Sequence, residues 1–142
     1  MEKIKLICLF LCLSIATMGL ASNSTVLMDV DNRTTTYTGT AVRLHKLTAA
    51  QGAQNKYIAR LDINNDSGVT PTADVVIQHS ADCATWATVI TFSQVTTGSY
   101  AVEKYLPSLN TGVTELLPCV RAIATLGGTS PQYDMTLTLN YN

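Results

Sequence analysis

The chain has 142 residues, only 13% of them charged, and a formal net charge of −1. That length suits one domain with one core and is too short for two. No basic stripe is present to neutralise phosphates, so nucleic acid is not expected as a partner.

The first stretch, "MEKIKLICLFLCLSIATMGLAS", places Lys3 and Lys5 ahead of an apolar run over residues 6–15, then small residues with Gly19 and Ala21 at the minus-three and minus-one positions. This predicts a secretory signal peptide over residues 1–21, cleaved after Ala21, and an extracellular or periplasmic mature domain over residues 22–142. The apolar run falls short of the roughly 20 residues of a spanning helix, so no membrane span is expected after cleavage. Cys12 lies inside that run and not after it, which does not fit a lipoprotein cysteine. Cleavage removes Glu2, Lys3, Lys5, Cys8 and Cys12, leaving seven cationic against nine anionic residues and two cysteines, Cys83 and Cys119. Two cysteines in an exported domain most simply form one disulfide, with two buried thiols as the alternative.

Threonine is abundant in what remains, and a β-branched residue suits half-exposed strands. "STVLMDV" puts Val26, Met28 and Val30 on one face by period-two alternation. A polar, threonine-rich stretch follows it. Such a terminal strand can pair within its own domain or add to the edge of a neighbouring copy, and it is the candidate assembly strand. "TAVRL" is a shorter strand, and "RLHKLTAAQGAQ" holds at most one helical turn.

In "KYIARLDIN", Tyr57, Ala59, Leu61 and Ile63 share one face while Lys56, Arg60 and Asp62 share the other. The next residues, "DINNDSG", resemble the front of a calcium loop, with Asp62, Asn64 and Asp66 as candidate ligands. An EF-hand loop needs glycine at its sixth position and a bidentate glutamate at its twelfth, where this chain has Ser67 and Ala73. A polar turn with Gly68 at positive φ is therefore expected, with a calcium ion as the alternative and no other cofactor indicated.

"ADVVIQHS" carries Val75 and Ile77 on one face. "TWATVITF" aligns Trp86 with Ile90 and Phe92, and "SYAVEKYL" and "PCVRAIATL" are further strands. "QYDMTLTLNYN" alternates Tyr133, Met135, Leu137, Leu139 and Tyr141 with polar residues. "LGGTSP" predicts a turn joining residues 119–126 and 132–141 as an antiparallel hairpin. Short strands at this spacing predict an all-β fold, a single antiparallel β-sandwich of immunoglobulin-like or jelly-roll-like form.

Catalytic chemistry is sparse. His45 and His79 are far apart and lie in no nucleophile elbow; His45 is expected to face solvent and His79 to sit at the rim. They also lack the close ligand pairs of a zinc site. Glu103 and Glu115 are carboxylates that nothing in the pattern brings together. No enzyme is expected. Trp86, Tyr100 and Tyr105 offer a platform on which a sugar ring would stack, the alternative being that Trp86 is the core tryptophan.

"DVVIQHSADCATWATVITFSQV" and "LLPCVRAIATLGGTSPQYDMTL" together resemble small β-sandwich proteins among the virion structural proteins of tailed phages. There a Gln-x-Ser-x-Asp strand end precedes a tryptophan strand, and a later Val-Arg-Ala strand leads to a Gly-Gly turn. The resemblance spans residues 74–137, and it implies a non-enzymatic surface or assembly role. The expected function is that of an exported, non-catalytic structural or interaction protein that assembles with copies of itself at a cell or particle surface. A carbohydrate-binding module and a virion structural protein are the alternatives. Asn23, Asn32 and Asn65 stand in Asn-x-Ser/Thr sequons.

Overall fold

The computed structural model describes residues 23–44, 57–96, 99–105 and 116–141, with the main chain alone for Asp66 and residues 99–105. The expected signal peptide, His45 and Glu115 lie outside the described residues. Among the described residues the fold is all-β. Seven strands follow in order: β1 (Asn23–Arg33), β2 (Tyr37–Thr38), β3 (Val42–Arg43), β4 (Tyr57–Ser80), β5 (Ala87–Thr91), β6 (Ser99–Tyr105) and β7 (Cys119–Tyr141).

All pairings are antiparallel. β4 and β7 form a spine, paired from Tyr57 opposite Tyr141 to Ser80 opposite Cys119. β1, β2 and β3 run along the outer side of β7, and β5 and β6 along that of β4. Where two hydrogen-bonded layers were expected, hydrogen bonding forms one open sheet, with β1 at one edge.

Two breaks expected from the sequence are absent. "KYIARLDIN" and "ADVVIQHS" are one strand, β4, and the expected hairpin over residues 119–141 is one strand, β7. The turn-forming residues instead make a bulged corner, with register shifts between Asn65 and Thr72. Gly68 and Gly128 adopt φ of 129° and 93°, and Thr70 and Ser130 also take positive φ. A Cβ on Gly128 would lie 2.4 Å from the Thr70 oxygen, so the partner strand approaches too closely for any other residue. Pro71 and Pro131 sit at this corner, where irregular pairing tolerates a missing N–H.

A polar network holds the corner. Asn65 Nδ2 donates to the main-chain oxygens of Ser67 at 3.0 Å and Gln132 at 3.3 Å. Ser67 Oγ donates to Gln132 Oε1 at 3.0 Å, and Gln132 Nε2 donates to Asn32 Oδ1. The Asn32 N–H donates to Asp134 Oδ1 at 2.7 Å. Polar side chains thus serve irregular backbone that a regular ladder would have paired.

One face of the spine is buried on either side of the corner, where residues 67–70 and 128–130 are exposed. In β4, Leu61 and Ile63 before the corner and Val75 and Ile77 after it are all at most 3% exposed. β7 buries even positions first, Val120, Ala122 and Ala124, and odd positions after the bulge, Tyr133 to Tyr141. These residues form one hydrophobic cluster. Each fully buried Leu, Ile or Val contributes about 1.5–3 kcal/mol relative to exposure. Contacts across the corner join the two halves: Tyr133 Oη donates to the Val95 carbonyl at 3.3 Å, and Val95 pairs with Ala73.

β1 departs from its expected phase. A register shift between Val26 and Met28 lets Leu27 and Met28 both enter the core and leaves Val26 53% exposed. Val30 packs partly buried against the core. The three residues expected on one face are thus divided by a β-bulge.

Candidate functional site

A polar and aromatic cluster lies where β4 ends and β7 begins. Cys83 and Cys119 are joined by a disulfide with a Cα–Cα distance of 5.3 Å, the pairing expected from the sequence. The connection carrying Cys83 is shaped by Asp82. Its carboxylate accepts the N–H groups of Ala84 at 2.9 Å and Thr85 at 2.8 Å, and the hydroxyls of Ser80 at 2.7 Å and Thr85 at 3.2 Å. The Thr85 N–H is the largest of several bonds that hold its pKa well below the usual carboxylate value. Ser80 and Asp82 of the Gln-x-Ser-x-Asp stretch are therefore turn-building residues.

This connection delivers Trp86 to the outer face of the sheet. The sequence placed Trp86 in phase with Ile90 and Phe92, and those two are buried as that phase requires. Trp86 is only half-buried. A register shift separates the pairs Ile77–Ile90 and Gln78–Thr88, so Val89 and Ile90 both face the core and the residues before them turn outward. The core-tryptophan alternative is corrected by this bulge.

Arg121 lies over Trp86, its guanidinium carbon 4.2 Å from the ring centroid, a cation–π contact. Its Nε donates to Gln78 Oε1 at 2.9 Å, and Gln78 is its register partner on β4. One further cation stands nearby: Arg43, opposite Cys119, donates from Nη2 to Cys83 Sγ at 3.4 Å. Arg43, Arg121 and Gln78 were not singled out from the sequence. The signal available was the alternation of "CVRAIAT", which sets Arg121 outward between Val120 and Ala122.

The remaining candidates do not converge. Tyr100 and Tyr105 pair through their main chains with Ile63 and Ile58, and only their main chains are described. Trp86 precedes β5, which pairs with β4 from Val76 to His79. Asp62 is held by Arg60, which donates from Nε and Nη2 at 2.8 Å each. That bond, first among its causes, keeps the Asp62 pKa low. Asn64 lies on the same strand, and only the main chain of Asp66 is described. Among the described residues no group of three or more His, Cys, Asp or Glu side chains is placed to hold a metal.

His79 is buried at 8% exposure, not at the rim, and its Nδ1 accepts the Leu117 N–H at 3.2 Å. Glu103 is opposite Arg60 by main-chain register. Of the sequons, Asn23 and Asn32 are exposed, and the side-chain amides of Asn32 and Asn65 are both engaged at the corner. No helix among the described residues is long and apolar enough to cross a membrane. No family model, curated protein or solved structure matches the chain.

Proposed function

We propose that this chain is an exported, non-catalytic β-sandwich protein that acts by contact, assembling with copies of itself at a cell or particle surface. The observation that carries the reading is the state of β1. Among the described residues it stands at an edge of the sheet, paired on one side with β7, and it exposes Val26 at 53%. An edge of this kind is a template for strand addition, in which backbone hydrogen bonds supply affinity and alternate side chains supply specificity. The sandwich form is supported by the single core shared between the two halves and by the Tyr133 to Val95 bond across the corner. A disulfide fits an oxidising compartment. The likeness to tailed-phage virion β-sandwich proteins points in the same direction.

Electron microscopy of the purified mature protein tests this reading. Filaments, rings or particles are expected; a uniform field of monomers at all concentrations would overturn it. A second reading, glycan binding, is favoured by one observation: Trp86 lies outside the core, part-buried beneath the Arg121 guanidinium.

A further inference from the structure

We propose that Arg121, Arg43 and Trp86 form a binding site for the carboxylate of an acidic saccharide, such as a uronic-acid-bearing glycan. The inference rests on the glycan reading of Trp86 and is independent of self-assembly.

The site is built around a guanidinium whose position is fixed. Arg121 lies over the Trp86 ring at 4.2 Å and is anchored at one edge by the 2.9 Å bond from Nε to Gln78. Both restraints leave its Nη groups without a partner among the described residues. An arginine held in one geometry has less rotamer freedom to lose when it grips a carboxylate, and its planar fork matches the two oxygens. Arg43 adds a second donor. It is opposite Cys119, two residues from Arg121 on β7, which makes the arginines diagonal neighbours with a spacing of about 7–8 Å. The carboxylate of Asp82 is turned to its own connection by four hydrogen bonds, from Ala84, Thr85 and Ser80.

The same patch favours a sugar over an acidic peptide. Trp86 is part-buried with the guanidinium over its ring, and an amphipathic ring of this kind stacks on the weakly polar face of a pyranose. Gln78 and Thr88 are register partners in the same part of the sheet and carry amide and hydroxyl groups suited to sugar hydroxyls.

Trp86 is the chain's sole tryptophan, so its fluorescence reports on this site alone. The mature protein would be titrated with oligogalacturonate, a neutral galactan oligomer and polyglutamate. The proposal expects a saturable emission change with oligogalacturonate, weakened by salt, and at least about tenfold weaker binding by Arg121→Gln, the scale of one lost charge-assisted hydrogen bond. Arg43→Gln should weaken binding by a smaller factor. Because Arg121→Gln also removes the ring contact, its melting temperature is measured, and Arg43→Gln, which leaves Trp86 untouched, serves as the second variant. No response to oligogalacturonate, or unchanged affinity in both variants, would overturn the proposal. Equal binding of the neutral oligomer would overturn the carboxylate assignment and leave Trp86 a neutral-sugar platform. Tighter binding of polyglutamate would overturn the saccharide assignment in favour of an acidic peptide.

Discussion

The carbonyl oxygen of Leu27 lies 2.5 Å from where a Cβ on Gly39 would stand. Gly39 also donates its N–H to the Ala122 carbonyl at 2.8 Å, so the segment between β2 and β3 is gripped by β7 on one side and pressed by β1 on the other. Both neighbouring atoms are main chain and do not swing aside as a side chain does. Gly39→Ala should therefore force the backbones apart at a cost of about 1–3 kcal/mol, typical of an overpacked site. Thermal melting checks this; a midpoint equal to that of the parent would show that β1 does not press on Gly39.

The disulfide closes a sequence separation of 36 residues. Chain-entropy arguments assign a loop of that length about 4 kcal/mol at 25 °C, a large part of a small domain's stability. Reduction should add about two daltons to the intact mass, one hydrogen per thiol. The Cys83→Ser, Cys119→Ser pair should lower the urea midpoint strongly. An unaltered mass on reduction would contradict the bridge.

Asp82 predicts an acid limb in stability. Its folded pKa lies below the usual 3.8, so the folded state binds the proton more weakly than the unfolded chain. The stabilisation is complete above 3.8 and is lost as pH falls below it toward the folded value. Asp82→Asn should be less stable than the parent at neutral pH, with the two curves converging as the pH is lowered. Urea midpoints collected from pH 7 downward decide the matter; parallel curves would mean that Asp82 is not held by these bonds.

Tyr133 predicts the opposite limb. Burial first, and the charge of Asp74 second, raise its pKa above the usual 10.0. The unfolded chain therefore ionises first, and stability declines as pH rises above 10.0 toward the folded value. Tyr133→Phe should flatten that alkaline decline. At neutral pH it should cost at most about 1 kcal/mol, since the Val95 oxygen it bonds also accepts the Ala73 N–H at 2.8 Å. An alkaline decline that survives the substitution would place its origin elsewhere.

Alternation carried most of the fold. It located the buried faces of both ends of β4 and of the final stretch of β7, because a strand half-covered by core writes its period directly into the sequence. Alternation fails where a bulge adds one residue, since parity then reverses without a change in composition. Val26 and Met28 are separated by one such reversal, and Trp86 and Ile90 by another. The GGTS stretch reverses β7 in the same way. The glycines and prolines at residues 68–71 and 127–131 mark departures from regular pairing, and a corner uses the same residue chemistry as a hairpin turn. Which of the two forms depends on long-range pairing between β4 and β7, which local sequence does not encode. The candidate site was half legible for this reason. The disulfide followed from counting, whereas the meeting of Arg121, Trp86 and Gln78 depends on the register of three strands.

The central claim, assembly through the β1 edge, is tested most directly by the solution mass of the mature protein before and after deletion of residues 22–31, with melting followed in parallel. The account predicts an oligomeric parent and a deleted form that is monomeric and still melts cooperatively. A parent that is monomeric throughout, or a deleted protein that keeps the parent's oligomeric mass, would contradict it.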